Sequence, residues 1–226
     1  MGTRLISMAI NYHLQDQFLS AFFATRFGND FYLTGGTALA RFYFHHRESV
    51  DLDLFTNNQQ IDFSELNLTI IKISRQLSLT LLKQAADKTF LQYILTTQDK
   101  STLKIDVVKD IPVHFGQIIT KNNVRLDSLE NIGSNKVLAI FGRTDPKDFI
   151  DLYYIIQKTK FDLEHFFQLA KQKDLGLNEF YLANSLDQLK NAPVYPVLLK
   201  SIDKNKLLKF YRDLSRQLLL KIKPRE

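Results

Sequence analysis

Cysteine and tryptophan are both absent from the 226 residues of this chain. Without a thiol, disulfides, thiolate zinc sites and cysteine nucleophiles are excluded together. No stretch approaches the roughly 18 consecutive apolar residues that a membrane-crossing helix needs. Residues 1–10 lack the apolar run of a secretory leader. The expectation is a soluble cytoplasmic protein with no membrane partner. Gly/Ser linkers, internal repeats and low-complexity tracts are missing as well, so nothing in the composition marks a domain boundary.

What is present suffices for a core. Hydrophobic residues make up 45% and charged residues 24%, and phenylalanine occurs 18 times. The length allows one large domain or two modest ones. The net charge of +6 is unevenly placed. Nine basic residues (Lys200, Lys204, Lys206, Lys209, Arg212, Arg216, Lys221, Lys223 and Arg225) face three acids (Asp203, Asp213 and Glu226), an excess equal to that of the whole chain. A basic tail on a neutral body points to an anionic partner, nucleic acid first; a solvated helix face is the alternative.

Apolar spacing predicts a helix over 10–27, a short strand at 31–34, a break at Gly35-Gly36 and a helix over 37–44. Residues 50–55 alternate strictly, with Val50, Leu52 and Leu54 on one face and Asp51 and Asp53 on the other, which is a strand by period. Asp62 and Glu65 resemble a capping box and open a helix to about residue 77. Strands follow at 89–96 and 102–108, joined by a turn at Asp99-Lys100. After about residue 126 the texture is helical. Asp145-Pro146 starts one helix, and Asp162, Asn178 and Asp203 can cap three more. The last, 204–222, puts Leu207, Tyr211, Leu214, Leu218 and Ile222 on one stripe, with Lys209, Arg212 and Arg216 opposite.

Two carboxylates two residues apart on a strand share a face, with α-carbons about 7 Å apart. Held so close, they repel unless a cation lies between them. Magnesium suits, since it takes one or two carboxylates plus substrate phosphates; a polar strand face that happens to hold two acids is the plain alternative. Upstream, the strand–Gly35-Gly36-Thr37–helix order resembles an anion cradle: backbone N–H groups at a helix start, unobstructed by side chains, with the Thr37 hydroxyl added. Asp106, in the alternating run 103–108, can join Asp51 and Asp53, either on a second metal or as general base, or simply pair with Lys104. Lys136, Arg143 and Lys147 can neutralise triphosphate oxygens. Asp148 falls where a helix dipole alone favours an acid. Asp151 interrupts an apolar run and needs a partner, for which Lys147 or Arg143 would serve. His45 and His46 lack further ligands at metal spacing, so a surface or phosphate-contacting role is expected of them. A Ser-His-Asp hydrolase finds no Gly-x-Ser-x-Gly elbow.

The run Leu33-Thr34-Gly35-Gly36-Thr37-Ala38-Leu39-Ala40, followed by His46-Arg47-Glu48-Ser49-Val50-Asp51-Leu52-Asp53-Leu54, closely resembles the AbiEii/AbiGii-type nucleotidyltransferase toxins of the DNA polymerase beta-like superfamily. Arg47 and Ser49 fall at the family's basic and hydroxyl positions. The resemblance continues through Lys136 to Arg143 and Pro146 to Tyr153. It implies that Lys136 and either Asp148 or Asp151 belong to the active site, and it runs from about residue 31 to 154.

The resulting expectation is an α+β protein: a mixed-sheet catalytic domain over 1–125, then a helical domain over 126–226 that closes the cleft and adds basic residues. Its reaction moves a nucleoside monophosphate from an NTP to an acceptor hydroxyl. Asp51, Asp53 and Asp106 carry magnesium, with manganese as the alternative; Lys136, Asp148 and Asp151 complete the catalytic set. Gly35, Gly36, Thr37, Arg47, Ser49, Arg143 and Lys147 bind nucleotide. The resemblance implies a toxin of a toxin–antitoxin or phage-defence system, tRNA as acceptor and an antitoxin as partner. A catalytically inactive nucleotide- or RNA-binding module and a small-molecule nucleotidyltransferase are the competing readings.

Overall fold

Alternating burial builds the sheet. In the computed structural model, which describes residues 11–192 and 194–222, strand β2 (Asp51–Thr56) buries Leu52, Leu54 and Thr56 and leaves Asp51, Asp53 and Phe55 half-buried. Strands β4 (Phe90–Thr96) and β5 (Thr102–Lys109) alternate likewise, burying Leu91, Tyr93 and Leu95, then Leu103, Ile105 and Val107. With β1 (Tyr32–Thr34), β3 (Thr80–Ala86), β6 (Ile119–Lys121) and β7 (Val124–Leu126) they form a seven-stranded sheet in the order β3-β4-β5-β2-β1-β7-β6. The sheet is mixed: β2 runs antiparallel to β1 and parallel to β5, while β5–β4 and β4–β3 are antiparallel. The expectation of a leader-free start at residues 1–10, and the charges of Lys223, Arg225 and Glu226, lie outside the described residues.

The chain divides into two compact units. The first comprises residues 1–37, 49–112 and 120–126; the second comprises 38–48, 113–119 and 127–226. The short segments 38–48 and 113–119, which the sequence groups with the sheet half, are thus grouped with the helices. In the first unit, α1 (Tyr12–Phe23) and α3 (Phe63–Gln76) supply apolar stripes, including Phe18 and Phe22 with no exposure and Leu66 and Ile70 likewise. Each such side chain contributes roughly 1.5–3 kcal/mol by leaving water. Asp62 caps α3 as expected, although its carboxylate accepts from Ser64 N–H, and Glu65 pairs with Arg26.

The helix expected over 37–44 starts earlier and takes another form. Gly35–Thr37 is one short helical turn (α2), and Ala38–Tyr43 continues it as a π-helical turn, with Phe44 N–H bonded to Leu39 carbonyl at 2.8 Å. Burial of Ala38, Leu39, Ala40 and Phe42 holds this wider turn, a form that is rare and concentrated at functional sites.

The second unit holds α4 (Leu129–Gly142), α5 (Pro146–Lys158), α6 (Leu163–Lys173), α7 (Glu179–Asp187) and α8 (Lys204–Ile222). Asp145, Asp162 and Asn178 each cap the helix that follows, and Asp203 accepts from Asn205 and Lys206 N–H at the start of α8. The α8 stripe differs in detail. Leu207, Tyr211 and Leu218 are buried, but Ser215 takes the place expected for Leu214, its hydroxyl donating to the Ala183 carbonyl at 2.8 Å, and Ile222 is exposed. Lys209, Arg212 and Arg216 are exposed, as the pattern implies. Among the described residues no helix is long and apolar enough to cross a membrane.

Candidate active site

Gly35 is the point about which the first cluster is built. Its φ of +66° is a left-handed conformation that side chains disfavour, and a Cβ placed there would lie 2.6 Å from Oδ2 of Asp53. The Asp53 carboxylate therefore packs directly on the backbone of the Gly35-Gly36 turn. Thr37, two residues on, has no exposure; its hydroxyl bonds to the Asp51 carbonyl and to Ser49 Oγ at 2.8 Å. It ties the turn to β2 rather than offering a hydroxyl to an anion, which corrects the expectation from sequence. Gln15 of α1 anchors the segment leading into β2 by donating to the carbonyls of Ser49 and Val50.

The parallel pairing of β2 with β5 sets Asp53 opposite Asp106 and Asp51 opposite Lys104. The four side chains share the face that carries none of the buried Leu52, Leu54, Ile105 and Val107. Lys104 Nζ lies 2.8 Å from Asp106 Oδ2 and 3.5 Å from Asp51 Oδ2. Burial works against its ammonium, but the hydrogen bond to Asp106 and the charges of Asp51, Asp106 and Asp53 outweigh it and raise its pKa. Gln92, opposite Asp106 on β4, donates to Oδ1 at 2.8 Å. Among the described residues no three acidic or imidazole side chains close on a single metal-sized point. The donor set of carboxylate oxygens on one face still fits a hard divalent cation, and Lys104 is the cation that the acids hold here.

The second cluster is buried. Asp151 of α5 has no exposure and accepts from Arg47 through Nε and Nη2, both at 2.7 Å, from His46 Nε2 at 2.8 Å, and pairs with Lys136 Nζ at 2.7 Å. Asp148, three residues earlier and on the same helix face, pairs with Lys136 at 2.7 Å and with Arg143 Nε at 2.8 Å. The partners expected for Asp151, Lys147 and Arg143, are thus not its partners. Lys147 stays half in water, 3.9 Å from Asp145, because its ammonium gains more from hydration than from entering a buried cluster that already holds cations.

Burial would push both carboxyls up; instead Lys136 and Arg47 hold Asp151 far below the usual carboxylate range, and Lys136 and Arg143 lower Asp148. Lys136 is raised against its own burial by the same two acids. His46, expected at the surface or on phosphate, has no exposure. Burial lowers its pKa despite the neighbouring Asp151, so it is neutral, donating from Nε2 while its buried Nδ1 has no partner among the described residues. With His46 neutral, three cations face two carboxylates.

The two clusters hold Gly35, Gly36, Thr37, Ser49, Asp51, Asp53 and Asp106 in the first unit, and Arg47, Lys136, Arg143, Asp148 and Asp151 in the second, with Lys147 in the second unit but outside its cluster. Sequence reasoning passed over Gln15, Gln92 and the structural part of His46. A glutamine within a helix or strand gives no local sign of its target. The alternation predicts Lys104 as a partner for one acid, Asp106; its bridging to Asp51 as well follows from the β2–β5 register.

A protein-family model described as the nucleotidyl transferase AbiEii toxin of type IV toxin–antitoxin systems matches residues 17–221. The uncharacterized protein aq_aa25 of Aquifex aeolicus is 29% identical over 172 residues, which span 73% of this chain and 76% of that protein. A Helicobacter pylori protein provisionally described as a nucleotidyltransferase aligns with a TM-score of 0.60 at 18% identity, over 95% of this chain and 96% of its own. MenT4, a nucleotidyltransferase toxin from Mycobacterium tuberculosis, aligns with a TM-score of 0.58 at 12% identity, over 92% of this chain and 82% of its own. At such identities the structural likeness is one of fold, and the fold is that of nucleotidyltransferases.

Proposed function

From the premise that this chain belongs to the AbiEii nucleotidyl transferase toxin family, and is a nucleotidyltransferase of that kind, we propose that it transfers a nucleoside monophosphate to the end of an RNA, tRNA first. The observation that carries the reading is the β2–β5 register, with Asp53 opposite Asp106 and against Gly35. The acceptor oxygen attacks the α-phosphorus, the bond to the β-phosphate oxygen breaks, and pyrophosphate leaves. The proton of the acceptor hydroxyl passes to Asp106 or to water. Asp51 and Asp53, with Asp106, are the residues that would hold magnesium or manganese, and the ion when bound supplies positive charge for the triphosphate.

The chain's own groups divide the remaining work. Backbone N–H groups at the Gly35-Gly36 turn face the phosphates. Arg143 and Lys147, whose side chains are 63% and 53% exposed, neutralise the leaving pyrophosphate. Arg47, Lys136, Asp148 and Asp151 act as positioning residues, since their charged heads already satisfy one another. In this reading residues 1–125 carry the chemistry and 126–226 supply the basic groups. The exposed Lys209, Arg212 and Arg216 of α8 favour a polyanionic acceptor over a small molecule. A cytoplasmic location supplies both NTP and tRNA, and a type IV toxin implies an antitoxin encoded with it.

Purified protein incubated with magnesium, each labelled NTP in turn and total tRNA tests this. Label on RNA, with pyrophosphate released, is expected. Nucleotide binding without transfer overturns the enzymatic reading in favour of a binding module, and label on a small molecule or a co-purifying protein overturns the acceptor.

A further inference from the structure

Lys104 stands between acids that the proposed function gives to a metal ion, and this inference rests on that reading. Three carboxylates and one ammonium occupy the face: Asp51, Asp53 and Asp106 around Lys104. Lys104 is held by the pleat as well as by charge. It is two residues before Asp106 on the same strand and directly opposite Asp51 on the next, so its short reach to both acids follows from register and not from a chance surface approach. Gln92 fixes the other oxygen of Asp106 at 2.8 Å, which leaves Oδ2 of Asp106 turned to Lys104.

We infer that Lys104 is a built-in counter-ion for the catalytic carboxylates, one that a divalent ion must displace, so that the site favours arrival of the metal together with a triphosphate over the metal alone. Like charges cannot share one pair of carboxylates: an ammonium about 3 Å from Asp106 and a divalent ion on the same oxygens repel strongly in a half-buried setting. A lone metal ion must therefore release Lys104 into water without any new partner for it. With a triphosphate present, the added negative charge both strengthens the metal and gives the freed ammonium something to face. The lysine also keeps the three acids from repelling one another when no metal is bound. Its side chain is 35% exposed, so it has room to swing out.

Titration of the protein against Mn2+, read by loss of the free-ion electron paramagnetic resonance signal, tests this without any turnover. Lys104→Met removes the charge and keeps the stem; Lys104→Arg keeps the charge. Lys104→Met is expected to bind Mn2+ about tenfold more tightly than the unsubstituted protein when no nucleotide is present, the gap narrowing with a non-hydrolysable NTP. Lys104→Arg is expected to stay within about twofold of the parent. Thermal unfolding supplies a second readout: Lys104→Met is less stable in chelator and gains more from Mn2+ than the parent does. If the parent binds Mn2+ and the folded Lys104→Met binds it equally or more weakly, the counter-ion role is overturned while the metal reading stands. If the parent binds no Mn2+ with or without nucleotide, the metal reading falls and this inference falls with it.

Discussion

Asp53 and Asp151 are the same side chain in two surroundings. Asp53 lies half-buried on a strand face, against a glycine backbone, among acids that share a single lysine. Asp151 has no exposure and is wrapped by Arg47, His46 and Lys136. The first setting is half-buried and gathers three carboxylates about one ammonium. The second is saturated, so it has little left to offer a substrate and much to lose if disturbed. An acid in an active site is thus not one kind of object. The difference teaches that exposure and the balance of local charge separate the group proposed for chemistry from the one proposed to hold the frame.

The comparison breaks most sharply at the two aspartates themselves. Asp53→Asn is expected to lower nucleotide transfer roughly thousandfold, the equivalent of about 4 kcal/mol at the transition state. Its unfolding midpoint in urea should stay near that of the parent, because relieving acid–acid repulsion offsets lost contacts. Asp151→Asn should do the reverse in order of cause. Leaving Arg47 buried without its anion, and Lys136 with Asp148 alone, costs about 3–5 kcal/mol of stability, seen in the same urea titration, and activity then falls through loss of folded protein. A stable Asp151→Asn with no transfer would move Asp151 into the chemistry and erase the contrast.

How far each cluster was legible follows from the same contrast. Strand alternation is local, so Asp51 and Asp53 announce a shared face, and caps such as Asp145 and Asp203 announce helices, all within a few residues. The strand–glycine–helix order at 31–37 and the alternation around Asp106 are local as well, and the resemblance adds Ser49; the register with β5 is set by no local pattern. The buried network was not legible. Asp151 meets Arg47 and His46 across 104 and 105 residues, and an acid in an apolar run says only that some partner exists. Strand β3 was missed because it is exposed almost throughout and needs no alternation. The β6–β7 hairpin was missed despite a usable sign: Asn122-Asn123, with φ of 51° and 60°, is a pair that tolerates the left-handed turn of a tight hairpin.

A smaller effect is expected at the glycine. Gly35→Ala meets both the positive φ and the Asp53 carboxylate at 2.6 Å, so either the turn or the acid must move. The stability cost is about 1–3 kcal/mol, and transfer should fall more than stability does, because the atom displaced belongs to the proposed metal set. Differential scanning calorimetry beside the tRNA assay separates the two. Equal losses would mean that the turn is only scaffold.

The smallest effect is a pH dependence, and its sign follows from His46. Burial lowers its pKa from the ordinary 6.5 although Asp151 accepts from its Nε2. The groups facing it are Asp151, Arg47, Lys136 and the rings of Phe44 and Tyr154, so the two cations join burial against protonation. In the unfolded chain His46 takes a proton as pH drops through about 6.5, while in the folded chain it stays neutral to lower pH. The unfolded state then binds more protons, so the contribution is complete above pH 6.5 and is lost progressively below it. Asp151 and Asp148, also lowered, add a loss of the same sign that sets in as pH falls through the ordinary carboxylate range, below about pH 5. Stability measured from pH 7.5 to 5 should therefore decline in the parent with a slope of at most one proton from this residue. His46→Gln, which keeps a donor for Asp151, should flatten that limb. A slope unchanged by the substitution would mean that His46 takes its proton inside the folded protein, making the network less closed than its burial implies.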